Sequence, residues 1–218
     1  SPVHTVGNQI VETIQLHDRT MNKQMAHDRA IELLRMVGIP RPERRVDEFA
    51  YQLSGGLRQR AMIALALACD PRLLIADEPT TALDVTTQAQ ILELLRQLQA
   101  ERGMAIMLIT HNLGVIAEMA DDVAVMYLGR VVEEAAAPAL YARPRHPYTE
   151  ALLAAIPGED RAGSKAGRAR GELRTDLAGR DGCPFRTRCP VRIDKCEETP
   201  PYVQLGDGRA SRCWLAEK

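Results

Sequence analysis

Apolar positions along the chain mark its elements. Val6, Ile10 and Ile14 recur on one face, and Ala30, Leu33, Leu34 and Val37 do the same, so residues 3 to about 51 read as helical. Gly38 is a stop signal, with Pro40 and Pro42 beyond it. A further helix opens at the Gly55-Gly56 pair, carries Leu57, Ala61, Leu65 and Ala68 on one face, and ends at Pro71. Two short apolar runs follow, Leu73 to Ala76 and Ala105 to Ile109. Their length and flanks predict strands covered on both faces, as in a parallel sheet. Between them Ile91, Leu94, Leu95 and Leu98 mark an amphipathic helix ending near Gly103, which completes a strand–helix–strand unit. Val123 to Tyr127 and Arg130 to Glu133, joined at Leu128-Gly129, read as a hairpin. The expected class is therefore α/β. From Pro138 through Ile156 the chain reads as helical with proline interruptions. Residues 157–182, rich in Gly, Ala, Arg and Asp, read as a linker, and Cys183 to Trp214 as a compact tail. There is no internal repeat.

Composition narrows the class. The 218 residues can bury one core and a small appendage. A net charge of −1 supplies no global basic field, which argues against nucleic acid as the main partner. No apolar run reaches the ~18 residues of a membrane span, and no secretory signal is visible. Of the five cysteines, Cys69 lies in a helical pattern and reads as a small core residue. The other four, Cys183, Cys189, Cys196 and Cys213, crowd the last stretch, which points to a local site.

The candidate chemistry is phosphate chemistry. In a parallel sheet, ligands sit beyond the carboxyl ends of the strands. Asp77 and Glu78 end one strand and His111 ends the next, so all three are expected on one edge. Asp77 is placed to hold Mg²⁺ through water, Glu78 to polarise an attacking water, and His111 to hydrogen-bond a γ-phosphate. Ser54-Gly55-Gly56 lets the backbone approach a phosphate, and the helix behind it offers free N–H groups. The usual partner of such parts, a G-x-x-x-x-G-K-[ST] loop, is nowhere in the chain.

Leu53-Ser54-Gly55-Gly56, Leu73 to Glu78, Ala82-Leu83-Asp84 and His111, in that order and spacing, resemble the signature, Walker B strand, D-loop and switch histidine of ABC transporter ATP-binding subunits. The resemblance implies the C-terminal part of a P-loop ABC nucleotide-binding domain, helical subdomain plus parallel-sheet core, with a small Cys-rich extension. It implies ATP and Mg²⁺, with Glu78 and His111 catalytic, Asp77 serving Mg²⁺, and Ser54, Gly55, Gly56, Gln59 and Asp84 contacting nucleotide. It also implies a head-to-tail dimer with a second ABC ATPase subunit. Residues 3–51 would dock on two transmembrane permease subunits, served indirectly by an extracytoplasmic solute-binding protein. The location would be peripheral, at the cytoplasmic face of the inner membrane, and nucleic acid would not be a partner. The expected segments are 1–52, the helical subdomain; 53–136, the core part; 137–182, the helical extension and linker; and 183–218, the Cys-rich motif. Walker A and the Q-loop glutamine would fall before Ser1, so the chain is expected to be a piece that does not hydrolyse ATP by itself.

His146-Pro147-Tyr148-Thr149-Glu150-Ala151-Leu152-Leu153, then Ile156-Pro157, then the cysteine set, resemble the C-terminal extension of oligopeptide/dipeptide importer ATPases. The function this implies is energising import of di- or oligopeptides or related solutes such as nickel chelates. The four cysteines leave three readings open: a zinc site, for which close C-x₂₋₄-C pairs are missing; free structural thiols; and a [4Fe–4S] cluster, which the resembled subfamily implies. Two rivals stand beside the importer reading: a docking or regulatory module without turnover, and a DNA-repair-type ABC ATPase. Neither sustained heptads nor a concentrated basic face supports the latter.

Overall fold

A computed structural model describes residues 2–156 and 181–216. The expected linker at 157–182 therefore lies almost wholly outside the described residues. The chain forms two compact units, Ser1–His111 and Asn112–Lys218.

The first unit begins with α1 (Val6–His17), capped by Thr5, whose hydroxyl accepts from Asn8 N–H, and α2 (Lys23–Met36), capped in the same way by Asn22 through Met25 N–H. Past Val37 the chain is less helical than its pattern predicts: only the single turn α3 (Pro42–Arg45) and a 3₁₀ turn at Ala50–Gln52 interrupt the connection. Pro40 and Pro42 explain this, since neither can continue a helix begun before it. The next helix, α4 (Gly55–Ala66), packs on α1, α2 and the later helix Val85–Arg102. It buries Ala61, Ile63 and Ala64, with Leu67 and Ala68 just beyond, while Leu57 and Leu65 are only half-buried. The face read from four-residue spacing is thus displaced, because a helix with neighbours on several sides buries more than one stripe.

Strand β1 (Leu73–Asp77) pairs in parallel with β2 (Ala105–Ile109), from Leu73 opposite Ala105 to Asp77 opposite Ile109. They are joined by α5 (Val85–Arg102), which buries Ile91, Leu92, Leu94, Leu95 and Leu98. The strands are not covered on both faces. Leu74 is buried on one face, but on the other Leu73, Ile75, Met107 and Ile109 are 51, 59, 52 and 43% exposed. A continuous apolar run states that both faces can be buried; it does not state what buries them.

The second unit contains α6 (Leu113–Met119), β3 (Asp122–Tyr127), β4 (Arg130–Ala136), α7 (Ala137–Ala142), α8 (Pro147–Leu153), β5 (Val203–Gly206) and β6 (Arg209–Ser211). The hairpin forms as expected, with Leu128 and Gly129 both at positive φ in its turn. The sheet order is β3-β4-β6-β5, all antiparallel, so the tail adds two strands beside β4. Pro138 and Pro147 stand in the first turns of α7 and α8, where a missing N–H is harmless. They start helices rather than interrupt one. Phe185 is fully buried against the rings of Tyr127, Tyr148 and His146, and Val132, Leu140 and Leu153 complete that core. Among the described residues no helix is long and apolar enough to cross a membrane.

Candidate functional site

The ends of β1 and β2 bring Glu78 and His111 together. Glu78 N–H donates to the Ile109 carbonyl at 2.8 Å, which extends the β1–β2 ladder by one residue and pins the backbone at a left-handed φ of 46°. His111 Nδ1 lies 2.9 Å from Glu78 Oε1, and the Thr81 hydroxyl donates to Oε2 at 2.7 Å. A carboxylate only accepts, so Nδ1 carries the shared proton. The Thr81 hydroxyl, and after it His111, hold the Glu78 carboxyl below the ordinary carboxylate range. Glu78 is therefore ionised at neutral pH, with both oxygens engaged and lone pairs left over for a water. The pair is largely open to solvent, with Glu78 and His111 side chains 43 and 81% exposed, so it adds little to stability. Asp77 sits beside it, exposed at the same strand end.

A second group forms where the N-termini of α4 and α5 meet. Ser54 caps α4, its hydroxyl accepting from Leu57 N–H at a long 3.4 Å. Gly55 and Gly56 open that helix, and a Cβ on Gly56 would lie 2.6 Å from Thr87 Cγ2, closer than atoms can approach. Gly55 in turn faces Leu83. Asp84 caps α5: Oδ1 accepts from Thr87 N–H at 2.9 Å and Oδ2 from the Thr87 hydroxyl at 2.7 Å, and these bonds hold its carboxyl low. Gln59 is half-buried one turn into α4. Arg60 is turned away from this group and donates to the Val37 carbonyl at 2.6 Å, tying α4 to the end of α2.

Sequence reasoning missed Thr81 and Thr87. The signal was there: each stands three residues after a carboxylate, Glu78 and Asp84, the spacing at which a hydroxyl reaches back to an acid at a turn or helix start. A groove of about 750 Å³, open to solvent, runs between Gly38, Arg60 and the α5 residues Val85, Gln90 and Glu93. It contains none of the carboxylates above, and its size alone gives it no chemistry.

In the second unit Cys183, Cys189, Cys196 and Cys213 line one cavity with His146, Phe185 and Trp214. Cys183 and Cys196 are also joined through the backbone, Cys183 N–H donating to the Cys196 carbonyl at 2.9 Å. Burial pushes the Cys183 and Cys189 thiols up to about 11, with neighbouring thiols adding to it, and raises Cys213 too. Without a ligand these are protonated thiols. Among the described residues no three His, Cys, Asp or Glu side chains gather closely enough for one metal ion. Four thiols are a donor set that zinc and iron–sulfur groups share.

Residues 3–81 match the family model for ABC transporters, and residues 132–196 match that for the C-terminal region of oligopeptide/dipeptide transporters. The oligopeptide transport ATP-binding protein AppD of Bacillus subtilis is 49% identical over all of this chain and 66% of its own length. The dipeptide transport ATP-binding protein DppD of Escherichia coli is 50% identical over 98% of this chain and 65% of its own. The chain thus spans just under two thirds of these relatives. Among solved structures, the dimeric ATP-binding cassette in a post-hydrolysis state with ADP and phosphate aligns with a TM-score of 0.56 at 32% identity, over 63% of this chain and 58% of that one. The cbiO1 subunit of a Clostridium perfringens ABC transporter complex gives 0.55 at 28%, over 64 and 54%.

Proposed function

From the premise that this chain belongs to the ABC transporter ATP-binding family, we propose that it works in a subunit that hydrolyses ATP to drive import of di- and oligopeptides or related small solutes. The observation that carries this reading is the Thr81–Glu78–His111 cluster at the ends of two neighbouring parallel strands. The reaction is ATP plus water to ADP plus phosphate. Glu78, ionised and fixed from both sides, accepts from the attacking water and orients it; its lowered basicity suits orientation better than full proton abstraction. His111 bridges Glu78 and the γ-phosphate, which requires protons on both ring nitrogens. Asp77 would hold Mg²⁺ through water, and the ion supplies neutralisation of phosphate charge. Ser54, Gly55, Gly56 and Gln59 present the N-terminus of α4 to a nucleotide held by a second, head-to-tail subunit, and Asp84 borders that contact.

The same reading makes residues 1–52 the part that docks on two permease subunits, 53–136 the core part, 137–182 the extension and 183–218 the cysteine module. A solute-binding protein acts from outside, and the assembly works at the cytoplasmic membrane face. The test is the complete transporter in vesicles. Peptide-loaded binding protein should raise ATP turnover together with uptake. Uptake without turnover, or docking on the permeases without turnover, overturns the proposal in favour of a purely structural module.

A second reading concerns the four thiols, which we propose hold an iron–sulfur cluster. What supports it is that all four line one small cavity together with Phe185 and Trp214. Protein purified without oxygen should carry iron and acid-labile sulfide and lose both in Cys189→Ser. Protein with neither leaves the cysteines as structural thiols.

A further inference from the structure

Thr87 does two things at once. Its hydroxyl donates to Asp84 Oδ2 at 2.7 Å while its N–H holds Oδ1 at 2.9 Å. Its methyl occupies the space a Cβ on Gly56 would need, 2.6 Å from that position. Leaving aside its chain neighbours, the three nearest atoms to that position among the described residues all belong to Thr87. One β-branched side chain, with few rotamers open to it in a helix, thus touches the Ser54-Gly55-Gly56 turn with one arm and Asp84 with the other. Leu83, against Gly55, makes a second contact between the same two segments. A shift of the α4 N-terminus toward α5 therefore presses on the side chain that holds Asp84.

Resting on the proposed ATPase function, we infer that Thr87 is a positioning residue: it locks the Asp84 carboxylate to the glycine turn of α4, so that the two nucleotide-facing segments move as one. Gly56 is glycine because the Thr87 methyl stands where its side chain would be. The two arms can be separated by substitution. Thr87→Val keeps the methyl and removes the hydroxyl, Thr87→Ser does the reverse, and both keep the backbone bond to Asp84.

The experiment is steady-state ATP turnover of the complete protein with its permeases, for wild type, Thr87→Val, Thr87→Ser, Gly56→Ala and the double variant Gly56→Ala with Thr87→Ser. Thr87→Val should lower kcat about three- to tenfold, the worth of one hydrogen bond, with KM for ATP nearly unchanged. Thr87→Ser, which cuts the methyl arm, should lower kcat about two- to fourfold, the worth of one buried methyl. Gly56→Ala should lose at least about tenfold in kcat/KM, since the methyl cannot yield without dragging Asp84. The double variant should recover most of that loss. A purely structural clash would lower the yield of folded protein without the kcat-only effect of Thr87→Val. Turnover of Thr87→Val equal to wild type, or a double variant as poor as Gly56→Ala, overturns the inference. A wild type without turnover refutes the proposed function instead. The packing is then decided by thermal unfolding: recovery of the Gly56→Ala melting temperature in the double variant supports the lock, and no recovery refutes it.

Discussion

Replacing Glu133 is the sharpest probe of how the second unit holds its C-terminal segments. This carboxylate on β4 is 1% exposed and faces the residues that lead into α8. Oε1 accepts from Arg145 N–H at 2.7 Å and Oε2 from His146 N–H at 2.8 Å, while Arg209 of β6 stands 4.0 Å away. Glu133→Ala strips the acceptor from two backbone N–H groups in the interior. At about 1–3 kcal/mol for each buried donor left unmade, and less the cost of burying the carboxylate itself, the net loss should be about 3 kcal/mol. Glu133→Gln keeps one carbonyl oxygen and turns an amide N–H₂ toward the other donor, so it should cost roughly half as much. Trp214 is the single tryptophan of the chain and lies in this unit, so urea unfolding followed by its fluorescence reads the right event. The pH dependence has a definite sign. Burial raises the Glu133 pKa above its ordinary 4.5, so its contribution is full below pH 4.5 and falls as pH rises through the folded value. The advantage of wild type over Glu133→Gln should therefore grow as pH is lowered from 7 toward 4.5. An alanine variant within about 0.5 kcal/mol of wild type, or glutamine costing more than alanine, would refute the reasoning.

Burial holds His146 neutral with a pKa of about 4 against an ordinary 6.5, so the stability it contributes is present above pH 6.5 and is lost as pH falls through 4. About 2 kcal/mol should be gone at pH 5, and His146→Asn, which can still cap α8 by accepting from Tyr148 N–H, should lack that slope in the same fluorescence assay. The Thr81 hydroxyl is the main influence holding Glu78 low. Thr81→Val should let that pKa rise and move the acid limb of the kcat/KM profile to higher pH; an unmoved limb would mean that Glu78 does not set it.

Much of the site was legible because its residues occupy positions that topology dictates. Strand, acid pair, helix, strand, histidine is a linear pattern, and the parallel pairing of Asp77 with Ile109 converts it into the Glu78–His111 contact. Helix caps were equally local: Ser54 and Asp84 announce the starts of α4 and α5. What sequence did not give was anything decided by a distant neighbour. The tail's pairing of Ala210 and Ser211 with β4 depends on a partner more than seventy residues away. The exposure of Ile75 and Met107 follows from what does not lie against them, which a run of apolar letters cannot encode. Leu57 and Leu65 look as apolar as Leu67, and only the placement of helices around α4 makes Leu67 the buried one. Thr81 and Thr87 were passed over because threonine after an acid reads as ordinary turn chemistry until the distances are known.

The most direct measurement is made on the complete protein carrying Glu78→Gln, with ATP binding and ATP hydrolysis followed separately. Glutamine keeps the shape of Glu78 and can still accept from Thr81, but it has no anionic oxygen to orient water. Binding should match wild type while turnover falls by at least about a hundredfold. Turnover close to wild type would contradict the account, because the carboxylate at the end of β1 would then not act on the reacting water.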